Sequence, residues 1–404
     1  MQSRQPFTAL AATVCVGTLL AGCTSHSESK ATPGRQQAAP HGYVEGAEET
    51  AEPQPRLVVA DGDTGAVHVL DLITEEVFEV GVAEGVDGIS GDGRFAYLTT
   101  TGKTMHVIDG GAWTVDHGDH SHYYRAGTRN VGSVEGGRPD GVNSDVAVTA
   151  VSFDNGAVNL LDRAKLEKGE ITEIAMADAG EHRGTVVPYR EHLLVSAAGT
   201  VEVRTRSGRP VTRIGEPCPE PQGEAVTRRG VVFGCADGAL LVIEDGGEFS
   251  GEKIGYPEKT SGDDRAREFS HRPGSTTLAA KAGDRGVWVL DVSARRWELV
   301  ETGPTVAVNA VGDRAPVLSL TADGTLRAFD PRSGKETART RLLARPLPES
   351  GDVISPTIQV DTSRAYINDP AAKAVYEIDY NDDLRRARTF KLDFTPAHMV
   401  ETGR

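Results

Sequence analysis

Helical periodicity is missing from this chain of 404 residues. After the N-terminal run, no stretch of twelve residues repeats its apolar positions at helical spacing, which argues against a helical domain. There is no Gly-rich phosphate loop and no G-x-S-x-G, and no Ser/His/Asp triad can be placed from the sequence. Basic residues are in the minority, 43 Lys and Arg against 59 Asp and Glu, for a net charge of −16. Nucleic acid needs a basic face, so that partner class is excluded. An acidic surface instead concentrates cations. Cysteines number four, and two of them, Cys15 and Cys23, stand at the start. The body of the chain keeps only Cys218 and Cys235.

What is present begins with an export signal. Arg4 precedes an apolar run from Phe7 to Ala21, too short and too weakly flanked for a membrane span. Leu20-Ala21-Gly22-Cys23 resembles the lipobox of bacterial lipoproteins. That resemblance makes 1–22 a lipoprotein signal peptide and Cys23 the lipidated first residue, anchored at the outer face of the cytoplasmic membrane. Such a compartment is oxidising, so Cys218 and Cys235 are expected to form a disulfide. Residues 23–55 hold almost no large apolar side chain and read as a flexible tether. The tether carries His26 and His41 among Glu45, Glu48 and Glu49, an auxiliary metal-collecting arm.

From residue 56 to 404 the pattern changes to short β-branched runs broken by turn residues such as Asp61-Gly62, Asp154-Asn155-Gly156, Asp237-Gly238 and Asp323-Gly324. Each follows one strand-like run and precedes another, as in β-hairpins. Turns recur about every 44 residues, the length of a four-stranded propeller blade. The fold class is therefore all-β, a single propeller of eight four-stranded blades, with seven as the alternative count. The first unit opens with a second strand, Leu57-Val58-Val59-Ala60, and Pro396 to Gly403 resembles its missing inner strand. The termini then share one blade and close the ring, which removes a free edge. Trp113, Trp288 and Trp297 fall in strand patterns and read as blade packing.

One stretch stands out, Asp116-His117-Gly118-Asp119-His120-Ser121-His122. It holds three of the chain's eleven histidines. Neutral imidazole is the commonest protein ligand for zinc-like metals. His120 and His122 point to one side of an extended chain, and Gly118 lets His117 fold back. Asp116 and Asp119 can bind metal or accept the second ring N–H. Aligning the inner-strand starts brings Asp87, Glu224, His271 and His182 into one ring at a mouth of the channel. The histidine stretch reads as a blade-to-blade loop at that same mouth, with His182 as the missing ligand.

The runs Trp113 to Tyr124, His41 to Glu49 and Phe233 to Gly238, with the ending Thr402-Gly403-Arg404, resemble those of AztD-type zinc metallochaperones. The resemblance implies a propeller that holds Zn(II) and passes it to the solute-binding protein of a zinc ABC importer, and the chain is read accordingly as a non-enzymatic monomer. It maps the family's site onto His120, His122 and His182. The chain departs from the family in having only His26 and His41 in its arm, and Gln222 before Gly223-Glu224. Two alternatives stand beside this reading, a metal-dependent propeller hydrolase or lactonase and a non-catalytic interaction scaffold. Oxygen-rich calcium sites suit the first, and the histidine-rich stretch speaks against it.

Overall fold

The computed structural model describes residues 44–178, 184–260, 262–348 and 355–404. Cys23, His26, His41 and His182 lie outside these residues, and so does the expected signal peptide. Among the described residues the strands form nine antiparallel sheets, seven of four strands and two of three. The chain is all-β and its sheets are arranged as in a propeller.

In chain order, β1 (Glu48–Thr50) precedes β2 (Arg56–Asp61), β3 (Ala66–Asp71) and β4 (Val77–Val82). The next sheet begins with β5 (Val86–Gly91), β6 (Phe95–Thr100) and β7 (Thr104–Asp109). A hairpin of β8 (Ala112–Asp116) and β9 (Ser121–Arg125) then interrupts it, before β10 (Arg129–Glu135) completes it on the outside. Strands β11 (Pro139–Ser144), β12 (Val148–Phe153), β13 (Ala157–Asp162) and β14 (Glu173–Asp178) form the third sheet. Further sheets span 186–213, 224–255, 277–301, 305–341 and 358–391. A bridge between Ser270 and Ala279 adds an inner segment to the three-stranded sheet 277–301. The C-terminal strand Pro396–Thr402 pairs with β2, from Arg56 opposite Thr402 to Asp61 opposite Pro396.

Strands next to the inner one are apolar on both faces because neighbouring sheets cover both. Arg56–Asp61, Val148–Phe153 and Gly230–Cys235 are buried along their whole length. Outer strands such as β4 and Glu336–Arg341 are largely exposed. Apolar clusters fill the spaces between consecutive sheets. Val58, Val69, Ala96 and Leu98 join the first two, and Ala150, Leu160, Val186 and Leu193 join the third and fourth. Leu57, Val59 and Met399 pack on Tyr366, Val375 and Phe390, so the sheet 358–391 also meets the first. Each fully buried Val or Leu contributes roughly 1.5–3 kcal/mol. Trp288 and Trp297 pack edge to face at 5.8 Å within their sheet, as expected of blade residues. Cys218 and Cys235 are disulfide-bonded.

Two expectations are corrected. The segment Glu48–Thr50, placed in the tether, is a strand paired with β9. The edge of β9 offers free backbone groups, and Glu48 meets Arg125 at 2.9 Å. The hairpin β8–β9 is not a connection between sheets, because it sits between the third and fourth strands of one sheet. Its apolar run Ala112 to Val115 imitates an outer strand, whereas the true one, Arg129–Glu135, is polar and bulged at Asn130/Gly132. This reverses the end at which the histidines lie. Inner strands begin at one end, with Val86 opposite Thr100, and finish at the other, with Gly91 opposite Ala96. Asp109 pairs with Phe95 and Arg129 at the finishing end, and the hairpin springs from there. A six-residue strand, roughly 20 Å, separates the two ends.

The hairpin is rooted on a buried ion pair. Arg94 Nη2 and Nε donate to the Asp109 carboxylate at 3.0 and 3.2 Å, and Asp109 also accepts the Gly111 N–H at 3.0 Å. Side-chain exposures are 3% and 0%. Arg94→Ala leaves Asp109 buried without this partner. We predict a loss of about 3–5 kcal/mol in unfolding free energy, measured by urea denaturation. A loss under about 1 kcal/mol would show that Arg129, 3.5 Å from Asp109, suffices alone.

Candidate metal centre

The hairpin register decides which side chains gather. Val115 opposes His122 and Trp113 opposes Tyr124. Opposed residues share a face. Trp113 and Tyr124, stacked at 5.5 Å, form the buried half of that face, and the Arg94 guanidinium lies 3.8 Å from the Trp113 ring. Trp113 therefore packs the hairpin onto the sheets rather than filling a sheet's own core. Thr114 on the opposite face donates to the Gly403 carbonyl at 3.2 Å. These contacts hold the root and leave the tip to carry the histidines.

The tip is a tight turn. The His117 N–H donates to the His120 carbonyl at 2.9 Å. Gly118 has φ of +88°, a left-handed conformation that glycine adopts without strain. Its N–H donates to the Asp116 carboxylate at 2.8 Å. Asp116 thereby helps to shape the turn.

This turn brings His117, His120 and His122 together. One ligand atom from each lies within 4.8 Å of the others. Ring centroids are 4.9 Å apart for His117 and His120, 5.0 Å for His120 and His122, and 5.3 Å for His117 and His122. Asp119 Oδ1 stands 2.8 Å from Nδ1 of His120. Glu49 Oε1 stands 2.7 Å from Nδ1 of His122. A carboxylate against Nδ1 favours the proton there and turns the Nε2 lone pair to a metal. Tetrahedral zinc at nitrogen distances of 2.0–2.1 Å needs nitrogens about 3.4 Å apart. Gathering the three nitrogens to that spacing requires the rings to turn inward from the 4.8 Å bound.

Other candidates are dispersed. Asp87 accepts from Thr99 at 2.9 Å and pairs with Arg138 at 3.2 Å, at the end where inner strands begin. Glu224 lies at that same end, bonded by Asn143 at 2.8 Å. His182 falls outside the described residues. His271 does not stand at an inner-strand start. It bridges to Ala310, with Nε2 3.3 Å from the Val226 carbonyl. Asp87 and Glu224 therefore do not share an end with the histidine hairpin.

Glu49 is the residue that sequence reasoning undervalued. It appeared only as one of several tether carboxylates. It opposes Tyr124 across β1 and β9, which places it diagonal to His122 on the same face. The signal was two consecutive glutamates able to meet an Arg and a His two to three residues apart in a strand.

Comparison with solved structures bears on the fold. Over 87% of this chain and 98% of the other, Citrobacter koseri AztD matches with a TM-score of 0.73 at 20% identity. The apo form of that protein matches with 0.71 at 19% identity over the same shares. The chain is similar in fold to AztD. The dihydro-heme d1 dehydrogenase NirN shares the architecture more distantly, with a TM-score of 0.56 at 15% identity over 88% of this chain and 76% of that one. No family model and no curated protein matches the sequence. The likeness to AztD concerns the fold, and the candidate metal centre rests on this chain's own side chains.

Two expectations follow from the geometry. Glu49→Ala removes the carboxylate behind His122 and should weaken metal binding by roughly 10–100-fold, read by competition with a chromophoric chelator. An unchanged affinity would mean that Glu49 does not orient the ring. The second concerns His271. Burial pushes its pKa down to about 4, while an unfolded chain protonates near 6.5. Its contribution to stability is complete above about 6.5 and is lost as pH falls towards 4. His271→Gln should flatten the stability profile over that window, measured by denaturant titration at several pH values. A profile as steep as that of the unsubstituted protein would assign the acid sensitivity elsewhere.

Proposed function

We propose that this protein is an exported zinc carrier built on an eight-bladed propeller, with the C-terminal strand completing the first blade. The observation that carries the reading is the trio His117, His120 and His122 converging on a rigidly rooted hairpin, two of them backed by carboxylates. Nitrogen donors of this kind suit zinc and other late first-row divalent ions. Water supplies the fourth position, since Glu49 and Asp119 stand behind their rings on Nδ1. The centre is exposed, so a second protein's ligands can reach the ion and replace the histidines one at a time. That favours transfer over a buried structural role.

Zinc is the cargo, and the recipient is the solute-binding protein of a zinc importer, as the resemblance to AztD-type metallochaperones implies. Lipid attachment through Cys23 would hold the carrier at the outer face of the cytoplasmic membrane. Metal binding by neutral imidazole competes with protons, so affinity falls on acidification.

The test uses the purified protein and its importer's apo solute-binding protein. One zinc per chain should bind tightly, and His120→Ala with His122→Ala should lower affinity at least a hundredfold while leaving the far-UV spectrum unchanged. Zinc should then pass to the solute-binding protein faster than it dissociates into excess chelator. Tight binding retained in the double variant would sink the site. Transfer no faster than free dissociation would leave a zinc protein that is not a carrier to that partner.

A further inference from the structure

The end of the molecule away from the histidines has a different chemistry. Asp140 on β11, Glu224 at the start of strand Glu224–Thr227, and Glu268 ahead of the Ser270 bridge all line one cavity of about 820 Å³. They come from three different sheets. Two guanidinium groups also line the cavity, and each is paired with a carboxylate other than these three. Arg265 pairs with Glu220 at 2.6 Å, and Arg267 with Asp263 at 3.1 Å. Burial, with Asp140 and Glu268 nearby, raises the Glu224 pKa. Like charges held together in this way are stabilised by a cation.

Carboxylates alone would not make a site, but the wall between them is built for a ligand. Gly141 on β11 has no side chain, and a Cβ there would stand 3.6 Å from Thr185 Oγ1 and 3.8 Å from Glu224 Oε1. Its absence leaves open the space in front of both oxygens. Ser152 on β12 is the residue opposite Gly141, so its side chain shares that face. Ser152 is 2% exposed and lines the cavity, and its hydroxyl has no hydrogen-bond partner among the described residues. A buried hydroxyl without a partner costs about 1–3 kcal/mol, so its presence calls for an occupant. Asn143, two residues on from Gly141, holds the cradle in shape by donating to Glu224 Oε1 at 2.8 Å and Thr185 Oγ1 at 3.3 Å.

We propose that this cradle binds one calcium ion, independently of the zinc site. The donors are carboxylate and hydroxyl oxygens, with neither imidazole nor thiolate among the described ones. Calcium takes six to eight oxygen ligands in flexible geometry and fills its shell with water. Zinc prefers nitrogen and sulfur, and magnesium demands a near-ideal octahedron that donors from three separate sheets do not offer. A bound ion relieves the repulsion among the three carboxylates and ties three sheets together at the channel mouth. The Cys218–Cys235 disulfide fixes the neighbouring loop that carries Glu220 and Gln222, both on the cavity wall.

The experiment takes the full chain, stripped with chelator, and titrates calcium chloride by calorimetry and by thermal unfolding. The unsubstituted protein and the His120→Ala/His122→Ala variant should both bind one calcium and show the same rise in Tm. Glu224→Gln should weaken calcium at least tenfold while its zinc affinity stays unchanged. Asp140→Asn, at an exposed rim position, should weaken calcium at least threefold with an unaltered Tm in chelator, which covers the case that Glu224→Gln fails to fold. No calcium binding by the unsubstituted protein overturns the proposal. So does calcium affinity unaltered in both acidic variants, or calcium binding that disappears with the histidines.

Discussion

The histidine hairpin depends on one ion pair, Arg94 with Asp109. Asp109 ends the third strand of its sheet, and the chain leaves the regular sheet pattern immediately after it. Its carboxylate binds the Arg94 guanidinium and the Gly111 N–H at once. It therefore fixes the direction in which β8 departs. The same guanidinium lies against Trp113, so charge and aromatic packing act on one group. A buried pair gives little net stability, because desolvating both charges offsets their attraction. What it supplies here is a single orientation. Three imidazoles on a short turn can act together only if the turn does not swing, and the root of the hairpin is where swinging is prevented.

The two ends of the sheets are chemically unlike. At one end nitrogen donors stand on an exposed tip and are backed by carboxylates. At the other, oxygen donors are recessed in a cavity between sheets. Exposure suits an ion that must leave, because incoming ligands need access. Recession suits an ion that stays. Sheets that carry hairpins, turns and loops at both ends keep such centres apart while their buried strands remain nearly identical in character.

Much of the fold was legible because strands and turns leave local marks. Runs such as Leu57 to Ala60, closed by Asp61-Gly62, announce a buried strand and its turn. The pairing of Pro396–Thr402 with β2 was legible because the first unit was visibly one strand short. The histidine trio was legible from spacing and one glycine. The hairpin's place in its sheet was not, because Trp113 and Val115 look like an outer strand and Arg129–Glu135 does not. That single misassignment turned the histidines towards the wrong end and drew Asp87 and Glu224 into their company. Glu49 was hidden for another reason. Its role depends on pairing between segments 73 residues apart, and composition alone made its surroundings look like solvated linker. Ser152 left no mark either, since an unsatisfied hydroxyl is visible only in three dimensions.

The pairing of Arg56 with Thr402 has a consequence for synthesis. A ribosome releases β2 long before the strand that covers it, so the first sheet waits with one side bare while more than three hundred residues are made. Thr114 of the hairpin rests on Gly403, so the hairpin too lacks part of its seat until then. The nascent chain can build its middle sheets in turn. It cannot finish its first sheet or fully seat its histidines before the final residues emerge. Long-range closure of this kind is slow.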